Sequence, residues 1–423
     1  LILGAITLRI FYLSYTDYSL RTHDVDGHID YINYIALNNS LPNADKCWQC
    51  YQPPTYYIIG TLISRFSQFI NLNTHFGLQI FSLFLSFIFL VFSVKTAKII
   101  LTNGKLLVMA VSLIAFWPSG IIHSIRIGND SLYYAFYAIG FYFIIKWYRE
   151  EKKRDFYLAS VFSVLSLLTK SSGLILISIF MISLLYKLIK TSERKTILKK
   201  ILIFAAILVI GFTLAFYRPL ENLRANRSGD LFVGNIKSLN GGLSVKNDLK
   251  NYLWFDQRSY FNDPFAYPWE DKGGRQYYWN FLLKTAQFGE FEFNNFKYAP
   301  ALAKGINFIS LPTIFFLFLS LILLFFKENI NNVKNYNFIL FVSIIISLAA
   351  SVYMRARLPF SPTGDFRYIF PVLVPMVILY ASGLKYINFQ NAKMNIFGYV
   401  AYFPIILMPI LSIALFILIS GIF

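Results

Sequence analysis

Thr55-Tyr56-Tyr57-Ile58-Ile59-Gly60-Thr61-Leu62-Ile63-Ser64-Arg65-Phe66-Ser67-Gln68-Phe69-Ile70 decides how this chain is threaded. The stretch is apolar but short, carries Arg65 and follows Pro53-Pro54. A lipid-spanning helix needs about 20 mostly apolar residues, and an arginine inside the bilayer is costly. The segment therefore reads as a helix lying at the membrane interface. Reading it as a span would invert every later loop and put the basic turns outside, against the bias that keeps Lys and Arg in short cytoplasmic loops.

Composition agrees that there is a membrane to thread. The 423 residues are 57% hydrophobic and 14% charged, against about 25% charged in soluble domains. So few charges cannot cover that much apolar surface in water, so the chain reads as an all-α polytopic membrane protein. Disorder, a coiled coil and a secreted disulfide scaffold are excluded with it. The net charge of +18 does not imply a nucleic-acid partner, because the placement of Lys and Arg decides their meaning in such a chain. The chain opens at Leu1 rather than Met, which leaves an upstream stretch of the natural protein as an expectation.

Hydropathy predicts eleven spans, near 1–15, 76–100, 106–122, 131–148, 156–169, 173–189, 201–217, 303–326, 336–354, 368–384 and 397–421. Alternate turns are basic: Lys95 to Lys105, Lys146 to Arg154, Lys187 to Lys200, Lys327 with Lys334, and Lys385 with Lys393. That side is the cytoplasm. The external side then carries 16–75, 123–130, 170–172, 218–302 and 355–367. Three parts follow: an N-terminal membrane module over 1–217 holding the first external loop, an external lid over 218–302, and C-terminal helices over 303–423.

The first external loop reads Arg21-Thr22-His23-Asp24-Val25-Asp26-Gly27-His28-Ile29-Asp30. Charged groups clustered at a bilayer edge point to a site. Asp24 and His28 share one face of a helix at i and i+4. Asp24 and Asp26 suit a proton acceptor and its neighbour, or ligands with His28 for a divalent cation such as Mg or Mn. A solvated turn with Asp24 as N-cap is the plainer alternative. Cys47 and Cys50 in the same loop favour a local disulfide, with a zinc site that borrows His23 and His28 as the other reading.

Further on, His123-Ser124-Ile125-Arg126-Ile127-Gly128-Asn129-Asp130 offers an Arg for phosphate and a carboxylate for a sugar hydroxyl, or simply Asp130 as a helix cap. Lys170 stands outside between two apolar helices, where it either meets an anion or snorkels to the interface. The last external loop adds Arg355, Arg357, Asp365 and Arg367. External cations in short turns suggest a phosphate-bearing ligand at the outer face.

With these residues in hand, the chain resembles the GT-C glycosyltransferases that use polyprenyl-phosphate sugars, and is similar to bacterial relatives of the protein O-mannosyltransferases and of the lipid A aminoarabinose transferase. The resemblance rests on an ordered set: Asp24-Val25-Asp26-Gly27-His28, Gln52-Pro53-Pro54-Thr55-Tyr56-Tyr57, Asn129-Asp130, Thr169-Lys170, Phe288-Gly289-Glu290, and Arg367-Tyr368 before Pro371 and Pro375. It implies a donor sugar on a lipid phosphate and a glycan, lipid or protein acceptor. By position it makes Asp24 the catalytic acid of the first external loop, with Asp26 and Asp130 beside it in catalysis. His28, Arg126, Asn129, Lys170, Arg357, Asp365 and Arg367 then serve the substrates. In mannosyltransferases an acidic residue follows that aspartate directly; here Val25 does, and the second acid moves to Asp26. The implied home is a bacterial inner membrane with the site facing outward.

A transporter or flippase of a lipid-linked glycan is the main rival. Transporters place polar groups at mid-membrane and show repeated halves, whereas here the charges gather at the outer rim. An O-antigen polymerase or ligase fits the external Arg and His but not the Asp24 cluster with its Pro-Pro helix. A scaffold leaves the external cations unexplained.

Overall fold

The computed structural model describes residues 1–225, 230–238, 241–327, 336–386 and 392–420. Lys334 lies outside the described residues, as does the side chain of Lys393. The described chain is helical, with a single isolated bridge between Ser244 and Phe360. Its first helices are α1 (Ile2–Ser14), α2 (Val25–Asn38), α3 (Thr55–Phe69), α4 (Thr74–Ile100), α5 (Gly104–Ala115) and α6 (Pro118–Ile122). There follow α7 (Asn129–Glu150), α8 (Lys153–Thr169), α9 (Leu174–Lys190), α10 (Arg194–Arg224), α11 (Leu249–Leu253) and α12 (Gln257–Asn262). The last are α13 (Tyr278–Phe288), α14 (Ala299–Lys327), α15 (Asn337–Arg357), α16 (Leu373–Leu384) and α17 (Ala392–Ile419).

All eleven stretches expected to span are helical, but the count of spans is smaller. Among the described residues seven helices are long and apolar enough to cross a membrane, or eight if Gly104–Ala115 and Pro118–Ile125, bent by 57° at their junction, form one broken span. Pro118 explains that break, since it withholds an amide from the ladder. The expectation of eleven fails at α1, α7 and α8. The described part of α1, 13 residues, is apolar but shorter than the seven. The 17 residues of α8 open on Lys153, Arg154 and Asp155. Asp130, Lys146, Arg149 and Glu150, with five tyrosines, dilute α7.

The chain divides into two compact units, Leu1–Thr16 with Ser93–Ile122 and Gly241–Phe423, and Asp17–Phe92 with His123–Asn240. The second unit holds the segment over 17–75. There α2 and α3 pack as a pair around Tyr31, Ile32, Tyr56 and Tyr57. Gly60 of α3 faces Ile32 so closely that a Cβ would stand 2.8 Å from its Cδ1, and the Thr61 hydroxyl donates to the Ile32 carbonyl at 3.1 Å. The other side of α3 exposes Ile58, Leu62, Phe66 and Phe69. Burial on one face and apolar exposure on the other suit a helix lying along a membrane surface. Arg65 bonds the Ala36 carbonyl at 2.8 Å, so it caps the end of α2.

In the first unit, the segment after Gly241 is folded around buried Arg275. Its guanidinium bonds the carbonyls of Gly242 at 2.6 Å and Pro268 at 2.7 Å and the Asp271 carboxylate at 2.7 Å. The segment over 241–298 thus has structure of its own, with α11, α12 and α13 in it.

Candidate active site

Asp24 stands at the N-cap position of α2, yet its side chain does not bond the first-turn amides. Its carbonyl accepts from the His28 amide at 3.2 Å, which starts the helix and sets the two side chains one turn apart. His28 is buried, with Nδ1 2.9 Å from the Tyr57 hydroxyl. The rings of His28 and Tyr57 lie 5.8 Å apart and nearly parallel. Burial pushes the His28 imidazole down to about 4, against the pull of the Asp24 and Asp130 carboxylates and with a further push from Lys170 and Arg126. His28 is therefore neutral at the centre of four charges. Burial also raises the phenol of Tyr57 well above its usual range, which keeps its proton in place.

The start of α7 runs past the far side of this ring. A Cβ on Gly128 would lie 3.2 Å from Nε2 of His28, so the backbone approaches where a side chain would crowd it. The Gly128 amide donates to the Tyr56 hydroxyl at 2.9 Å. Asn129 is buried and its amide group reaches Gln52 Oε1 and the Thr169 carbonyl, each at 3.3 Å. Asp130, in the first turn of α7, forms an ion pair with Lys170. Asp130 thus pairs with a cation instead of standing at the cap, which is Gly128. Lys170 follows the last residue of α8 and its side chain is only 8% exposed. A buried ammonium needs a charged partner, and Asp130 supplies one. Arg126, half-buried, lies 3.3 Å from His123 Nδ1, and its carbonyl takes the Ser82 hydroxyl at 2.8 Å.

The second unit thus gathers Asp24, His28, Arg126, Asn129, Asp130 and Lys170 around the starts of α2 and α7 and the end of α8. Beside Gln52 and Ser171 lies a small cleft walled by Tyr51, Pro53, Phe216 and Phe232. Asp26 points away and is exposed. Among the described residues no group of three or more His, Cys, Asp or Glu side chains could hold a metal ion. Asp24, Asp26 and His28 do not form such a group. Cys47 and Cys50 form a disulfide, which removes both sulfurs from the zinc alternative.

The remaining expected site residues belong to the first unit. Arg357 is exposed and donates to the Tyr353 hydroxyl one turn back, at 3.1 Å. Asp365 is buried, accepts the Arg367 amide at 2.9 Å and pairs with the Arg367 guanidinium at 3.2 Å. That guanidinium also lies over the Tyr368 ring. Sequence reading missed Tyr57 as the partner of His28, Gln52 as the partner of Asn129, and the role of Gly128. The two consecutive tyrosines after Pro54 were a signal: α3 buries both, which headgroup anchors would not need.

The sequence matches no protein-family model and no curated protein. The fold is similar to that of the Archaeoglobus fulgidus oligosaccharyltransferase in its apo form, with 12% identity and a TM-score of 0.51 over 98% of this chain and 56% of that one. The archaeal oligosaccharyltransferase AglB from the same organism, in complex with an inhibitory peptide and a dolichol-phosphate, is also similar, with 11% identity and a TM-score of 0.43 over 98% of this chain and 55% of that one. The chain spans little more than half the length of these solved relatives. At such identity the likeness to the first of them concerns the fold alone.

Proposed function

We propose that this protein is an integral-membrane glycosyltransferase that moves a sugar from a polyprenyl-phosphate donor to an acceptor hydroxyl at the external membrane face. The observation that carries the reading is the Asp130–Lys170 ion pair at the start of α7, two residues beyond the Gly128 that lies against the buried His28 ring. Asp24 takes the proton of the acceptor hydroxyl as its oxygen attacks the anomeric carbon. The bond from that carbon to the phosphate oxygen breaks, and the polyprenyl phosphate leaves with the electron pair. A single displacement of this kind inverts the anomeric centre. General base catalysis of this sort contributes about 10²–10⁴-fold.

The leaving phosphate gains negative charge, which Lys170 and Arg126 stabilise as fixed cations. Asp130 orients Lys170, and Asn129 and Asp130 also offer hydrogen bonds to sugar hydroxyls. The test supplies the full chain in nanodiscs with a panel of radiolabelled polyprenyl-phosphate sugars and membrane extract as acceptor. Label should move to the extract with inversion at the anomeric carbon. Transfer with retained configuration would overturn the single displacement, and uptake of labelled lipid across the bilayer without transfer would favour a flippase.

A further inference from the structure

The Tyr57 hydroxyl has one recorded partner among the described residues, Nδ1 of His28 at 2.9 Å. Tyr57 is fully buried, so its proton must be given to an acceptor or be left unsatisfied at a cost. If Nδ1 carried a hydrogen, Tyr57 could only accept, and its own O–H would be orphaned. Donation by Tyr57 therefore makes Nδ1 the bare nitrogen and leaves the single imidazole proton on Nε2. Nε2 is the atom that faces the start of α7 beside Gly128, and among the described residues no acceptor is recorded for it. A ladder behind Tyr57 holds the arrangement. The Tyr31 ring stacks on Tyr57 with centroids 3.8 Å apart, and Arg218 donates to the Tyr31 hydroxyl at 2.7 Å.

We propose that His28 is a neutral hydrogen-bond donor whose Nε2–H binds a phosphate oxygen of the lipid-linked donor, and that Tyr57 is the positioning residue that fixes this tautomer. The proposal rests on the polyprenyl-phosphate reading for the identity of the ligand, while the tautomer stands on the structure alone. A neutral donor at this place complements the cations: it adds direction to phosphate binding without adding charge beside Asp24.

Nitrogen-15 NMR of histidine-labelled protein in nanodiscs tests both parts, with the His28 signals assigned by their loss in His28→Gln. Wild type should show a bare Nδ1 and a protonated Nε2, and added polyprenyl phosphate should shift the Nε2 signal. Tyr57→Phe should bring the two signals together as tautomers mix. In the transfer assay, His28→Gln keeps an N–H near Nε2 and should hold the donor KM within about 3-fold. His28→Asn keeps one only near Nδ1 and should raise KM about 10–100-fold with kcat largely held, as expected for a lost bond to a charged group. Tyr57→Phe should raise KM about 10-fold, whereas a merely structural role would lower folded yield and leave KM unchanged. A protonated Nδ1 in wild type overturns the role of Tyr57. An Nε2 signal unmoved by bound polyprenyl phosphate overturns the role of His28. If polyprenyl phosphate does not bind at all, the donor class falls and with it the partner of His28, while the tautomer still decides for or against Tyr57.

Discussion

The Tyr57 hydroxyl lies 2.9 Å from Nδ1 of His28, and the start of α7 at Gly128 passes beside the opposite ring nitrogen. Pinned from both sides, the imidazole is buried among Asp24, Asp130, Lys170 and Arg126 and stays neutral. That arrangement ties the first turn of α2 to the first turn of α7.

It makes stability depend on pH with a definite sign. His28 titrates near 4 in the folded protein and about 6.5 when unfolded. Between those values the unfolded chain binds the extra proton, so stability rises with pH. The contribution is fully present above about pH 6.5 and is lost as pH falls toward 4. Going from pH 7 to pH 5 should cost about 2 kcal/mol at this one group. Thermal unfolding of wild type and His28→Gln at both pH values checks this: the wild-type Tm should fall further.

Lys170→Met leaves Asp130 without its cation in a place where only 19% of its side chain is exposed. Breaking a buried pair from one side costs about 3–5 kcal/mol, and the remaining exposure brings the expected loss to about 2–3 kcal/mol. Adding Asp130→Asn should recover part of that loss in denaturation, because it removes the stranded charge. Transfer should not recover, since the phosphate still lacks Lys170.

How far the site was legible follows from sequence distance. Asp24 and His28 sit at i and i+4, so their shared face could be read directly. Lys170 and Asp130 are forty positions apart, and hydropathy registers each only as a charge at the end of an apolar run. Their pairing is a product of how α7 and α8 pack. The helices themselves were readable, because apolar runs this long have no other stable state in lipid. Their number as spans was not, because hydropathy marks apolar character more sharply than it marks length. Thus α8 looked like a span although its 17 residues open on Lys153, Arg154 and Asp155. Conversely, the expected span over 201–217 ran too short: α10 continues through Pro219 to Arg224.

Gly128→Ala would place a methyl carbon 3.2 Å from His28 Nε2. The ring cannot retreat freely, since Tyr57 holds its other nitrogen. Crowding of this kind costs about 1–3 kcal/mol, and we expect about 1 kcal/mol here because a few tenths of an ångström relieve it. Donor KM should rise while kcat changes less, as read in steady-state kinetics.

The Cys47–Cys50 disulfide closes a loop separated by three positions, so its entropic contribution is small, about 2 kcal/mol. Cys50 is nonetheless buried in the cluster with Val25, Tyr57 and Ile127. Reduction should lower Tm by a few degrees, and the Cys47→Ser/Cys50→Ser variant should match reduced wild type. A variant that keeps the full wild-type Tm would contradict this.

The most direct test of the central claim compares Asp24→Asn with wild type, measuring donor binding and label transfer on the same nanodisc samples. Asparagine keeps the shape and removes the base. The account predicts that the variant binds polyprenyl-phosphate sugar as wild type does and transfers it at least 100-fold more slowly. Transfer at the wild-type rate with intact binding would contradict it, because the proton would then be leaving by way of another group.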